Sequence, residues 1–161
     1  MRLLPLGLLA FAALLVGCTQ IDCPLNNRVY ANFRFYNYLG DSVMLNDTLS
    51  ITTRSVDMED SVHINKQVGT VSFSLPVSYG QREDEYYLTI SGTDYEIRDT
   101  IRITKESRPH FESVDCNPSF FHTVTDAMCT HNILDSVVIN NKTINYDSSK
   151  EHFKVYVFTD Y

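Results

Sequence analysis

The sequence predicts an all-β domain, an antiparallel β-sandwich of the immunoglobulin-like kind, and three observations carry that expectation. Apolar and polar residues alternate over short stretches, as in Val29, Ala31, Phe33 and Phe35 with Tyr30, Asn32, Arg34 and Tyr36 between them. A period of two puts one set of side chains on each face of a strand. Such stretches recur at roughly 8 to 12 residues with turn formers between them, the spacing of a sandwich and not of βαβ units. The chain after Asn27 holds no convincing helical pattern.

The first strand runs from Arg28 to Tyr38 and stops at the turn pair Gly40-Asp41, where glycine supplies the conformational freedom a reversal needs. Short runs follow at Ser42 to Leu45, Leu49 to Arg54, Ser61 to Ile64, Thr70 to Ser78 and Glu85 to Ile90, each bounded by Asp, Asn or Gly. At Thr100 to Thr104, Ile97, Ile101 and Ile103 alternate with Thr100, Arg102 and Thr104, which suits a sheet with one wet face. His110 to Val114, Ser119 to Val124, Ile133 to Asn140, Lys142 to Tyr146 and His152 to Thr159 complete the set, many of them rich in β-branched and aromatic residues. The same strands closed into a ligand-enclosing barrel are the alternative architecture.

A length of 161 residues allows one ordinary domain. Hydrophobic residues make up 43% of the chain, with 10 Tyr and 9 Phe, so a core can be built and wholesale disorder is excluded. The formal charge is -7 and no run of Lys or Arg is present to follow a phosphate backbone, which argues against a nucleic-acid partner.

Ahead of the domain, Leu3 to Val16 form an apolar run behind Arg2, broken only by Pro5 and Gly7. It is too short to span a bilayer comfortably and has the make-up of an export signal. Leu15-Val16-Gly17-Cys18 resembles the bacterial lipobox, which implies that Cys18 takes a diacylglyceryl group and becomes an acylated first residue after cleavage. Two or more acyl chains hold a protein stably at a membrane. The expected organisation is therefore a lipoprotein signal peptide at 1–17, a lipidated tether at 18–27 and one sandwich domain at 28–161. Thr rather than Asp at position 19 points, by resemblance to proteobacterial lipoproteins, to the outer membrane, with the leaflet left open.

Setting Cys18 aside leaves Cys23, Cys116 and Cys129 in an exported chain where disulfides are permitted. The chain-entropy model gives about 4.7 kcal/mol for closing the long loop from Cys23 to Cys116, against about 3 kcal/mol for Cys116 to Cys129. Asp22-Cys23-Pro24 and Asp115-Cys116-Asn117-Pro118 also share an acid before the cysteine and a nearby proline. The expected bridge is Cys23 to Cys116, with Cys129 free and buried as a small hydrophobe and a Cys116 to Cys129 bridge as the alternative.

Catalytic and metal signals are weak. No serine sits in a Gly-x-Ser-x-Gly elbow. Cys116, His122, Cys129 and His131 together offer two sulfurs and two nitrogens, but their spacing fits no zinc knuckle. Asp57 to Asp60 and Glu83 to Glu85 lack the alternate ligands and central glycine of an EF-hand. The expectation is no enzyme, no metal and no cofactor. An envelope hydrolase would need two convergent carboxylates, or a His beside a Ser, in a pocket.

One local pattern stands out. Asp41-Ser42-Val43, Asp47-Thr48-Leu49, Asp60-Ser61-Val62, Asp99-Thr100-Ile101 and Asp135-Ser136-Val137 all read Asp, hydroxyl residue, aliphatic, where composition predicts about one such triplet. Asp closing a turn before a β-branched strand start accounts for the pattern structurally. The triplets also resemble the O-glycosylation sequon of exported Bacteroidota proteins, which would place sugar on Ser42, Thr48, Ser61, Thr100 or Ser136.

Taken together, the lipobox, Asp22-Cys23-Pro24, the all-β pattern and His110-Phe111-Glu112-Ser113-Val114-Asp115-Cys116 resemble small uncharacterised outer-membrane lipoproteins of Bacteroidota, domains of unknown function. The resemblance carries over no catalytic residue. It implies a lipid-anchored envelope protein, with the membrane as one partner and an outer-membrane protein as another. Tyr30, Tyr36, Tyr38, Tyr86 and Tyr87 are expected to meet that protein through rigid rings with polar tips. A carbohydrate- or peptide-binding surface module is the alternative.

Overall fold

The computed structural model describes Cys23, residues 28–54 and residues 60–158. Ten strands form there: β1 Tyr30–Tyr36, β2 Thr48–Arg54, β3 Asp60–Gln67, β4 Ser72–Pro76, β5 Glu83–Ser91, β6 Glu96–His110, β7 Ser119–Cys129, β8 Leu134–Ile139, β9 Thr143–Ile144 and β10 Phe153–Val157. They make a four-stranded sheet, β4-β1-β10-β8, and a six-stranded sheet, β3-β2-β5-β6-β7-β9. The two pack as a sandwich around a single core.

The alternation read from the sequence is what each sheet buries. In β1, Ala31, Phe33 and Phe35 are buried while Asn32, Arg34 and Tyr36 are half-exposed. Phe33 sits at the centre, stacked on Phe73 of β4 at 5.0 Å and on Phe153 of β10 at 4.7 Å. Its edge meets Tyr86 of the facing sheet at 6.0 Å. Offset and edge-on pairs of this kind add about 0.5–1.5 kcal/mol each beyond their buried area.

Four details differ from the sequence expectation. Not every pairing is antiparallel, since β1 and β10 run parallel with Phe33 opposite Phe153. A parallel pair needs a long crossover, and here nearly the whole domain serves as one. Ser42 to Leu45 forms only two isolated bridges, Tyr36 with Ser42 and Leu45 with Thr70. Thr100 to Thr104 belongs to one long strand, β6, carried on to His110 by its pairing with β7. Residues 111–118 are a loop instead of a strand, with Cys116 joined to Cys23 inside it.

Candidate functional site

Strand direction gathers one set of chain ends together. β1, β3, β5 and β7 begin, and β2, β4 and β6 finish, at the same end of the sandwich. A cavity of about 780 Å³ opens there, with walls from both sheets: Val29 before β1, Thr53 and Arg54 of β2, His63 of β3, the 76–81 segment after β4, Asp84 and Tyr86 of β5, and Phe120 and His122 of β7.

Along the inward-facing rows the chemistry changes at this end. In β5 the buried row reads Ile90, Leu88, Tyr86, Asp84, and in β6 it reads Ile101, Ile103, Lys105. β7 reaches the same result through a bulge. Thr104 pairs with Asp126 but Lys105 pairs with Val124, leaving Thr125 as the extra residue. A bulge of this kind re-aims the side chains beyond it, so Val124 and His122 turn inward and are buried. In β5 and β6 polar groups thus occupy positions that the same strands fill with Ile and Leu farther along.

The polar wall is internally satisfied. Lys105 is buried to its ammonium, which lies 2.8 Å from Asp84 Oδ2 and donates to the Gln81 carbonyl at 3.0 Å and to Ser78 Oγ at 3.3 Å. Asp84 also accepts from the Ser78 hydroxyl and from the Ser78 N–H at 3.2 Å. The Tyr86 hydroxyl donates to the Pro76 carbonyl at 2.9 Å. Burial, together with the Asp84 charge, holds the Tyr86 phenol well above its ordinary pKa. A buried ion pair persists only when its remaining donors and acceptors are met in this way.

Two imidazoles stay neutral nearby. Burial, aided by the Lys105 charge, pushes His122 down to about 4. Its Nδ1 lies 2.9 Å from Ser107 Oγ. That is a His beside a Ser, the pairing a hydrolase would require, but an imidazole titrating near 4 is a poor general base at neutral pH. His63 is lowered by burial and by the Arg28 charge, and its Nε2 is buried with no hydrogen-bond partner among the described residues. At the mouth, Tyr79 stacks on Phe120 with centroids 4.7 Å apart, and Tyr79 is 69% exposed.

Cys23 and Cys116 are bonded, as expected, with Cα atoms 5.5 Å apart. Asn117 and Pro118 follow directly and line the cavity, so the clasp sits beside it. Cys129 is free but only half-buried, and burial pushes its thiol up to about 11. With Cys116 in a disulfide, the Cys116, His122, Cys129, His131 set is broken. Among the described residues no group of three or more His, Cys, Asp or Glu could hold a metal ion. Cys18, with the signal segment and lipobox, lies outside the described residues.

The five triplet hydroxyls are scattered, with Ser42 and Ser61 exposed and Thr48, Thr100 and Ser136 half-buried. Asp99 has a structural job of its own. It is buried and accepts from the Ile133 and Leu134 N–H groups at 2.7 and 2.9 Å, the Asn132 N–H at 3.0 Å and the Thr130 hydroxyl at 2.5 Å. Of the tyrosines expected to meet a partner, Tyr38 is 72% and Tyr30 39% exposed. Tyr86 is buried in the core, because it falls on the inward row of β5. Tyr36 and Tyr87 are half-exposed and donate to Glu151 and Glu85. The sequence singles out His122 only as a zinc candidate and Asp84 only within the acidic stretch Glu83 to Glu85, and it does not bring them together with Lys105, although Lys105 extends the parity of Ile101 and Ile103.

Two sheets closed on an apolar core, with the Asp84–Lys105 pair and His122 buried beside a cavity at one end, define an all-β sandwich that carries a preformed end cavity. The chain belongs to the family of unknown function DUF6452, which matches residues 48–157, from β2 to the end of β10. No curated protein and no solved structure matches it.

Proposed function

We propose that the protein is a lipid-anchored, non-enzymatic binding module of the bacterial cell envelope, of the Bacteroidota lipoprotein kind, held at the outer membrane through Cys18 and serving as an accessory subunit beside an outer-membrane protein. The observation that carries this reading is the Cys23–Cys116 bridge. Four residues lie between Cys18 and Cys23, so five Cα-to-Cα steps give a reach of at most about 18 Å. An anchor on Cys18 therefore keeps the cavity end, and not the far end, close to the lipid. The loop that receives the bridge presents Val114, 96% exposed, and Phe111, 59% exposed, apolar side chains suited to contact with a membrane-embedded partner. The poor basicity of His122 supports the non-enzymatic part of the proposal.

Labelled palmitate supplied to growing cells should enter the protein, and Cys18→Ser should abolish the label and move the protein out of the membrane fraction. A Cys18→Ser protein that is processed normally and still floats with membranes contradicts the anchor. A carbohydrate- or peptide-binding role is the second reading, favoured by the stacked Tyr79–Phe120 pair on the cavity wall, since aromatic faces suit sugar rings. Saturable binding on a glycan array tests it. Sugar on the Asp-Ser/Thr triplets belongs to the same envelope reading, and Ser42 and Ser61 are its exposed sites. An intact mass showing the lipid increment alone would remove it.

A further inference from the structure

The buried polar wall of the cavity directs its hydrogen bonds at one loop. Pro76 ends β4 and residues 77–82 carry the chain to β5. The Tyr86 hydroxyl donates to the Pro76 carbonyl, and Asp84 accepts from the Ser78 N–H and hydroxyl. Lys105 donates from its ammonium to the Gln81 carbonyl and from its main-chain N–H to the Arg82 carbonyl at 2.9 Å. Surface loops are ordinarily the mobile parts of a fold, whereas this one is tied down along its length. Between the ties stands Tyr79, 69% exposed. One face of its ring lies on Phe120 of β7, with centroids 4.7 Å apart and planes within 14°, and the exposure belongs to the other face. A buried ion pair that adds no stability over apolar packing thereby acquires a task, which is to hold an exposed aromatic ring in place.

The charges around the cavity are already met, and this narrows the ligand. Asp84 is paired with Lys105 at 2.8 Å. Arg54 falls on the outward row of β2 with Ser50 and Thr52, and it lines an outer groove with Glu83, Glu85 and Tyr87. Arg28 has an interaction of its own, and the imidazoles of His63 and His122 are neutral at pH 7. A ligand that fits is therefore uncharged. The volume of about 780 Å³ suits a small molecule, and it opens across strand ends instead of along a sheet edge, where a peptide adds as a strand. An aromatic face is negatively polarised, which matches the C–H face of a pyranose ring. Sugar hydroxyls both donate and accept without charge, as the neighbouring Thr53, Ser61 and His63 require. We propose that the 76–82 segment is a fixed aromatic platform for a neutral saccharide, whose ring stacks on Tyr79 over the cavity, with Asp84 and Lys105 as positioning residues. The site deepens the carbohydrate reading above and rests on it, and it stands whether or not Cys18 is acylated.

The test titrates the mature protein, its disulfide intact, with cellobiose, maltose and N,N′-diacetylchitobiose, followed by backbone NMR shifts. Digalacturonic acid and an uncharged acetylated tripeptide amide are the counter-probes. The expected result is saturable binding of at least one neutral disaccharide, with shifts centred on residues 77–81 and 118–122 and weaker binding of both counter-probes. Tyr79→Ala should lower the affinity by at least about tenfold and Tyr79→Trp should keep it, while Tyr38→Ala, of nearly equal exposure at the far end, should change nothing. Asp84→Leu with Lys105→Met should lower the heteronuclear NOE of residues 77–81, and the affinity with it, and leave the β1 amides as they were; Ser78→Ala gives a milder form of the same loosening if the double variant does not fold. No saturable binding of any of the three disaccharides, unchanged affinity in Tyr79→Ala, tighter binding of either counter-probe, or NOE values at 77–81 unmoved in a folded variant would each overturn the proposal. Sugar binding with shifts confined to a sheet face overturns this site and leaves the carbohydrate reading standing, whereas a glycan array without saturable signal removes both.

Discussion

The two ends of the sandwich each bury an aspartate and treat it in opposite ways. At the far end, where β1 and β10 finish, Asp99 takes its hydrogen bonds from the chain itself, chiefly the N–H groups of residues 132 to 134. Its carboxylate closes the β7–β8 connection like a plug. At the cavity end Asp84 is met by Lys105 and Ser78, and open space lies beside them. A carboxylate bound by main-chain donors fixes a turn, which is a contribution to stability. A buried ion pair is at best neutral against well-packed apolar residues of the same size. Polar residues that give no stability, placed together on several inward rows, mark the end where function departs from folding.

The largest expected effect lies at the cavity end. Lys105→Met leaves the Asp84 carboxylate buried without its cation and should cost about 3–5 kcal/mol, whereas Asp84→Leu with Lys105→Met should recover most of that loss. Urea unfolding of the two variants measures the difference, and equal losses would mean that the pair is not the unit described. Asp99→Ala at the far end strands several buried N–H groups and should cost about 3 kcal/mol. No apolar partner substitution can repair it, because the donors are backbone; this sharpens the contrast between the ends.

A smaller effect follows from pH. His122 is neutral in the fold with a pKa near 4, below the value of about 6.5 for an unfolded histidine. The unfolded chain then binds the extra proton between about pH 6.5 and 4, so stability falls as pH drops through that window and levels off below it. The full span amounts to about 3 kcal/mol. His122→Gln, which can still bond Ser107, should flatten the curve of unfolding free energy against pH by a large part of that amount. A variant curve parallel to the parent's would show that the imidazole is not neutral in the fold. Smallest of all is the reactivity of Cys129, whose thiol is pushed up to about 11. At pH 8 it should react with iodoacetamide far more slowly than an ordinary cysteine, and denaturation should restore the normal rate.

Much of this was legible in the sequence where the information is local. The alternation in Val29 to Phe35 and in Ile101 to Thr104 placed inner and outer faces correctly, because strand periodicity is written within a few residues. The Cys23–Cys116 bridge was also accessible, through loop length and matching local sequence. The parallel β1–β10 pair was not, since it joins the two ends of the domain through contacts that no window of sequence contains. The cavity fell between these cases. Lys105 shares the parity of Ile101 and Ile103 and so was readable as an inward lysine, a signal in itself. His122 was not, because the extra residue Thr125 shifts the parity of β7 and only the pairing with β6 reveals it.

The central claim, that the clasped end is the working end, is tested most directly with two tyrosines of nearly equal accessibility. Tyr79 at the cavity mouth is 69% exposed and Tyr38, in the turn after β1, is 72% exposed. The length of β1 separates their ends of the sandwich, roughly 20 Å. A photoreactive benzoylphenylalanine placed at each position in intact cells samples the neighbours of each end under matched exposure. A reproducible crosslinked partner or ligand at position 79 and none at position 38 is the predicted result; adducts at 38 with none at 79 contradict it.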